Sequence, residues 1–287
     1  MNLSLRFLPV LAVVVVPVSP VFLHAQPPTS AAPARQGSAV FKWEDLKVVT
    51  KASGEQRAVT NLPTPTLVRF ESHLTTLKPG FESHAPHHHP QEEVIVLKEG
   101  TLEVNINGHK QRVGAGSSWL FASHDVHNMK NVGDTPATYF VFNFTTAATA
   151  SVPNKPAAEV AAPGKLPSSV WDWEKLVAKP TAQGARREVV SSPTTTMVKF
   201  DCHVTTLNPG QSPHAAHRHP DEEFIAIQEG LMEATINGVS QRAGPGSIFF
   251  FASNDLHGMK NVGTTPATYY VFRIMTEATP KETVAAN

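Results

Sequence analysis

The feature that most limits what this 287-residue chain can fold into is a repeat: from Phe41 onward it aligns with itself, without a gap, at an offset of 130 residues, as from His87 to His217. Trp43-Glu44 returns as Trp173-Glu174, and Leu77-x-Pro79-Gly80 as Leu207-x-Pro209-Gly210. His127-x-Met129-Lys130-Asn131-Val132-Gly133 returns as His257-x-Met259-Lys260-Asn261-Val262-Gly263. Solenoid repeats run about 20 to 50 residues, so a period this long means two copies of a domain. The Ala- and Pro-rich stretch from Thr145 to Lys165 lacks apolar periodicity and reads as a linker. The expected division is a domain over 41–148, a linker over 149–167, a second domain over 168–278 and a tail over 279–287.

Inside each copy the local signals are short strands and tight turns. Val68, Phe70, Ser72 and Leu74 fall on one parity and Arg69, Glu71 and His73 on the other, as in a half-buried strand. Leu102-x-Val104-x-Ile106 alternates in the same way and ends in Asn107-Gly108, a strong hairpin signal. Trp119-x-Phe121, His127-x-Met129-x-Asn131 and the run Tyr139 to Phe144 follow. No long helical pattern competes, so each copy reads as an all-β barrel or sandwich.

The chemistry concentrates in Gly80 to Gly100 and its copy, Gly210 to Gly230. His87 and His89 stand two apart, which on a strand places both on one face, within reach of one metal ion. A turn at Pro90 would return Glu93 to the same ion, with Ile95 and Leu97 continuing inward as core. Gly116-x10-His127-x3-Asn131 adds a third imidazole, and Gly246-x10-His257-x3-Asn261 repeats it. Three imidazoles and a carboxylate suit Mn, Fe, Co, Ni, Cu or Zn and not Ca or Mg, which prefer oxygen shells. Four protein groups on an octahedral ion leave two positions open, which is a catalytic arrangement. The alternative is a storage or binding barrel.

Lys plus Arg and Asp plus Glu balance at 24 each, so no long-range field draws the chain to nucleic acid or an anionic membrane, and a small molecule is the expected partner. The single cysteine, Cys202, excludes an intramolecular disulfide and reads as a buried small hydrophobe. Arg6 followed by the apolar run Phe7 to Val18, and then Ala25, reads as a signal peptide over 1–25, too short to span a bilayer. A disordered leader is expected over 26–40, and the mature protein in a bacterial periplasm without a membrane anchor.

The H-x-H-x3-E-x6-G and G-x10-H-x3-N segments, present twice, resemble the two motifs of the cupin superfamily, and the duplicated chain resembles a bicupin. The resemblance implies two tandem cupin barrels of double-stranded β-helix (jelly-roll) form. It also implies one divalent transition metal per barrel, with Mn or Fe favoured over Ni, Cu or Zn. The ligands carried over are His87, His89, Glu93 and His127 in the first barrel and His217, His219, Glu223 and His257 in the second. Activities of oxygenase, decarboxylase, isomerase or aminohydrolase type follow as expectations. Two departures stand out. Six residues separate Gly80 from His87 where the family usually has five, which suggests a bulge near His84-Ala85-Pro86. The usual Pro and Gly of the turn before the third histidine are replaced by Ala122 and His124, and by Ala252 and Asn254, residues that still tolerate positive φ in the case of His and Asn.

Several further residues receive expectations. His84 and His214 are candidates for a general acid or base at the barrel mouth. His88 and Arg218 should face outward, and His73 and His203, on the charged parity, should face solvent or the other barrel. Met129 and Met259 read as core filling that abuts the metal, with walling of the pocket beside Phe121 and Phe251 as the alternative; Lys130 and Lys260 should be solvated, and Asn131 and Asn261 should pin the closing turn. The barrels are expected to pair their apolar faces within the chain, bridged by the segments around Trp43 and Trp173, with homo-oligomers as a further level of assembly. One barrel is expected to dominate any activity, with no sign of which.

Overall fold

The computed structural model describes residue 1 and residues 34–156 and 163–281. The expected signal peptide, most of the leader and the end of the tail lie outside the described residues. Within them the chain is β-structure with three short 3-10 turns and no α-helix, and no helix is long and apolar enough to cross a membrane. Strand bounds in the two halves follow the repeat: Arg69–Leu77 answers to Lys199–Leu207, Glu92–Glu99 to Glu222–Glu229 and Ala137–Thr145 to Ala267–Met275. Each half is a jelly-roll barrel of one seven-stranded and one three-stranded sheet.

The large sheet of the first barrel runs in the order Ser169–Trp171, Ser118–Phe121, Glu92–Glu99, Ala137–Thr145, Arg69–Leu77, Gly54–Leu62, Val48–Lys51, with antiparallel pairing throughout. Its first strand belongs to the second half of the sequence. Reciprocally, Ala39–Phe41 pairs with Ile248–Phe251 in the second barrel. The barrels thus exchange their outermost strands, as the bridging expectation required. The end of the leader expected to be disordered through residue 40 is held by both barrels: Gln36 N donates to the carbonyl of Pro63 at 2.7 Å and Thr60 Oγ1 to Gln36 Oε1 at 2.8 Å in the first, and Ser38 Oγ donates to Asp255 Oδ2 in the second.

Each exchanged strand is locked by the tryptophan behind it. Trp173 N donates to Ser117 Oγ at 3.1 Å and Trp43 N to Ser247 Oγ at 3.0 Å. Their rings lie so close to Gly116 and Gly246, both at positive φ, that a Cβ on either glycine would come within 2.6 Å or 2.5 Å of indole carbon. On the other side Arg57 and Arg187 stack over Trp43 and Trp173 at 4.0 and 4.2 Å, a cation–π contact.

The sheets have two apolar faces, and this decides where the cores lie. One face of each large sheet packs on the other barrel: Phe70 meets Phe224 at 4.6 Å between ring centroids and Phe142 meets Phe272 at 5.2 Å, within one buried cluster drawn from both halves. The opposite face lines the barrel's own interior, where Ile95, Leu97, Val104, Trp119 and Tyr139 form the first core and Ile225, Ile227, Phe249 and Tyr269 the second. Along Arg69–Leu77 the residues Phe70 and Leu74 therefore serve the interface, and His73, Thr75 and Leu77 face inward. His73 and His203 thus lie inside their barrels, contrary to the expectation that placed them on solvent or the partner barrel. In a sheet buried on both faces, the more polar parity turns toward the cavity.

A buried carboxylate also crosses the interface in each direction. Glu92 accepts from the hydroxyls of Thr194 (2.5 Å) and Thr196 (2.6 Å) and from the amides of Thr195 and Thr196 (3.2 Å each). Glu222 accepts from Thr64 Oγ1 at 2.7 Å and Thr66 N at 3.2 Å. Each residue immediately precedes the carboxylate expected to hold metal, so a loop of one barrel grips the site-bearing strand of the other.

Candidate metal centres

In each barrel the histidines expected as ligands converge. Ring nitrogens of His87, His89 and His127 lie within 4.8 Å of one another, as do those of His217, His219 and His257. His87 and His89 do not sit on a regular strand, as the two-residue spacing suggested. The ladder begins only at Glu92, and His87 makes an isolated two-way bridge with His127 (N to O, 3.2 and 2.9 Å). Pro86 and Pro90 flank the pair in this half and lack the N–H a ladder needs. The turn before the third histidine keeps its shape: His124 and Asn254 occupy φ of 61° and 63°, and their amides bond to the carbonyls of His89 and His219. Asn131 pins the far end, donating from Nδ2 to the carbonyls of Leu77 and Thr135 at 2.8 Å each and accepting from Gly133 N at 3.0 Å; Asn261 repeats this. Phe121 stacks on His127 at 4.1 Å and Phe251 on His257 at 4.3 Å, which fixes the ring planes.

Hydrogen bonds behind the rings select the tautomer. Nδ1 of His89, His127, His219 and His257 lies 2.8–3.0 Å from the carbonyls of Gln91, Asp125, Asp221 and Asp255. A carbonyl only accepts, so Nδ1 carries the proton and Nε2 turns its lone pair to the centre. Nε2 of His127 and of His257 is buried and has no hydrogen-bond partner among the described residues. A buried unpaired lone pair is costly, and a cation at the convergence point would satisfy it. The carboxylates stand at the same place: Glu93 Oε2 is 3.4 Å from His89 Nε2, and Glu223 Oε2 is 3.0 Å from His219 Nε2 and 4.0 Å from His257 Nε2. Three neutral-capable imidazoles and one carboxylate fit a divalent transition ion.

The electrostatics agree. Burial lowers His127 to about 4 and His217 to about 4, and lowers His87 and His257 as well, which keeps these lone pairs free. Burial works against ionising Glu93, yet its hydrogen bond with His89 and the positive potential of His127 and His89 hold it at about 2. Glu223 is held low by the same kind of partners. His89 and His219 go the other way: burial opposes their charge, but the hydrogen bond with Glu93 raises His89, and hydrogen bonds to Asp221 and Glu223 raise His219 to about 9.

A cavity of about 340 Å³ opens over the first cluster and one of about 400 Å³ over the second. His84 and His214 line them, each ring edge-on to the first ligand of its set at 4.0 and 4.3 Å. Met129 and Met259 line them too. His88 is exposed, with Nδ1 3.2 Å from Nδ1 of His124. Lys260 is exposed and Lys130 half-buried.

Two features of the cavities were missed in the sequence. One is the dyad His73–Glu71 (Nδ1 to Oε1, 2.8 Å), repeated more loosely as His203–Asp201 (3.6 Å). The other is Arg273, which lines the second cavity and grips Asp221 through Nε and Nη2 at 2.5 and 2.9 Å. Cross-strand register places Glu93, Asn143 and Glu71 in one row, and Glu223, Arg273 and Asp201 in the matching row. A signal for Arg273 did exist: Gln91 and Asn143 both change to charged residues, Asp221 and Arg273, between otherwise similar repeats.

The cupin domain family matches residues 73–143 and again 203–273. Among solved structures the chain is similar to the protein Ylba from E. coli (14% identity, TM-score 0.65, covering 89% of this chain and 97% of that one). It is similar to the oxalate decarboxylase of Lactobacillus farciminis in complex with formate (17% identity, TM-score 0.62, 85% and 90% covered). It is also similar to the oxalate decarboxylase of Bacillus subtilis, described with Mn(II) centres (16% identity, TM-score 0.63, 88% and 80% covered). No curated protein matches the chain significantly. Identities this low speak for the fold alone, and the fold they share is the paired barrel found here. Matched once in each repeat and built as two such barrels in a single chain, the protein belongs to the cupin superfamily and is a bicupin.

Proposed function

We propose that the protein holds one divalent transition metal in each barrel, through His87, His89, Glu93 and His127 and through His217, His219, Glu223 and His257, and acts as an enzyme on a small polar molecule. The observation that carries this reading is the orphaned, buried Nε2 of His127 and of His257, each aimed at two further imidazoles and a carboxylate beneath an open cavity. When bound, the metal supplies a Lewis acid that polarises a substrate oxygen. The cavity size suits a molecule of a few to a dozen non-hydrogen atoms.

The chain's own residues supply the remaining parts. Glu71 fixes the His73 ring by accepting from Nδ1, which leaves Nε2 as the proton acceptor; in the second barrel His203 and Asp201 stand at the same positions, 3.6 Å apart and without that hydrogen bond. His84 and His214 stand beside the first histidine of each set, as second candidates for moving a proton. Small carboxylates are the substrates to try first and manganese the metal, because oxalate decarboxylases, one of them described with Mn(II) centres, share the paired-barrel architecture. The leader read from the sequence supports a periplasmic location, which cell fractionation of the tagged full chain would test.

Elemental analysis tests the core of the reading. The wild type should carry close to two metal ions per chain, and His89→Ala and His219→Ala close to one each. Protein that stays metal-free after refilling with Mn, Fe, Ni, Cu or Zn would refute it. Loaded protein that binds oxalate or related acids saturably, with no product and no dependence on His73 or His203, would be a binding barrel instead of an enzyme.

A further inference from the structure

We infer that the two centres differ in strength and that Asp221, clamped by Arg273, is the positioning residue that makes the second-barrel centre the tighter metal site; the inference rests on the reading of both clusters as metal centres. The repeats supply their own control. In the first barrel, His89 Nδ1 meets only the carbonyl of Gln91, at 3.0 Å. In the second, His219 Nδ1 lies 2.9 Å from the carbonyl of Asp221 and 3.2 Å from its Oδ1. One ligand imidazole is thus backed by a carboxylate and its counterpart by an amide side chain's backbone alone.

Asp221 is built to stay there. Its side chain is buried, and both oxygens are taken by the Arg273 fork, Oδ2 by Nε at 2.5 Å and Oδ1 by Nη2 at 2.9 Å. A two-point guanidinium clamp fixes the plane of the carboxylate as well as its place. Because the clamp offsets Asp221's charge at long range, its influence is confined to the nearest group, which is His219. Arg273 spends its fork on Asp221 and makes no hydrogen bond to Glu223, whereas the equivalent Asn143 donates to Glu93 Oε2 at 3.3 Å, drawing on a lone pair that the ion would use. Consistent with a tighter shell, His219 and Glu223 are both buried and 3.0 Å apart, and His89 and Glu93 are half-buried and 3.4 Å apart.

A carboxylate behind a ligand imidazole makes Nε2 a stronger donor and holds the ring on target, and losing such a partner typically costs about 10–100-fold in metal affinity.

The test uses full-length chains with one centre removed, His89→Ala to report the second site and His219→Ala the first. Each is titrated with Mn²⁺ and with Zn²⁺ against a chromophoric chelator at a series of pH values up to about 9.5, and the plateau affinities are compared, since His219 is raised to about 9 and must be neutral to bind. The second site should be tighter by at least about tenfold. Adding Asp221→Asn to the His89→Ala chain should remove most of that margin. Adding Gln91→Asp with Asn143→Arg to the His219→Ala chain should raise first-site affinity, a gain that a residue of merely structural importance would not transfer. Equal affinities, a tighter first site, or a transplant that folds by circular dichroism and gains nothing would each overturn the inference. The transplant also decides the matter if Asp221→Asn fails to fold. Absence of metal binding in both single-site chains would instead sink the metal reading itself.

Discussion

Set side by side, the two barrels share a scaffold and differ in the polar groups around their histidine clusters. Strand bounds, exchanged edge strands, tryptophan locks and turn-pinning asparagines correspond one to one across the repeat. The polar groups around the histidine clusters do not: Gln91 in the first repeat is Asp221 in the second, Asn143 is Arg273, and the tight His73–Glu71 contact becomes a looser His203–Asp201 one. Positions that shape the backbone tolerate little change because a substitution there displaces whole strands. A cavity wall accepts new polar groups as long as each finds a partner, which is how one duplicated barrel can acquire a second chemistry.

The largest expected effect asks whether the barrels are separate at all. Phe70→Ala removes a ring that packs on Phe224 and Phe250 of the other barrel and should cost about 3–5 kcal/mol. With the core spanning both halves, calorimetry should still show one transition, at lower temperature; a first barrel that melts alone while the second persists would establish independence.

The next effect separates the centres by pH. His219 is raised to about 9 and metal needs it neutral, so loading of the second site must expel a proton at neutral pH. Apparent affinity there should climb by up to about tenfold, or 1.4 kcal/mol, per pH unit between roughly 6.5 and 9 and level off above. The proton on His219 correspondingly stabilises the metal-free fold below about 6.5, and that stability is lost as pH rises through about 9. A flat profile in the His89→Ala chain would show that Asp221 and Glu223 do not hold that proton.

A smaller difference is expected in the clasps. Thr194→Val leaves Glu92 three donors, whereas Thr64→Val leaves Glu222 one. Denaturant unfolding should therefore show a cost of about 1.5–3 kcal/mol for Thr64→Val and clearly less for Thr194→Val. Least of all, His124→Gly should stabilise by about 0.5 kcal/mol and Asn254→Gly by close to nothing, because Asn already tolerates positive φ better than His does. Equal gains would mean that the contact of His124 with His88 matters more than its backbone.

The convergence of three histidines in each barrel, the inward course of Ile95 and Leu97, the turn at His124 and Asn254 and the role of Asn131 were all legible in the sequence. Each depends on short spacing or on a residue with few conformational options, and the repeat showed every one twice. Which side of a strand is inside was not legible for His73 and His203. Period two separates faces without naming them, and here both faces are buried. The Arg273–Asp221 clamp joins residues 52 positions apart, a distance over which no local pattern operates. The segment from His87 to His89 was assigned to a strand because alternation of side chains alone cannot tell a ladder from an isolated bridge between prolines.

The exchange of edge strands also sets a timetable for synthesis. The strand Ala39–Phe41 is among the first parts of the folded region to leave the ribosome, yet its partner Ile248 lies 207 residues beyond Phe41. At about 5–20 residues per second, that strand and Trp43 wait roughly 10–40 s without their sheet. The first barrel is luckier, since Ser169–Trp171 emerges soon after the strands it covers. The nascent chain can thus close its first barrel while its own amino-terminal strand stays open, and only arrival of the last quarter of the sequence completes both.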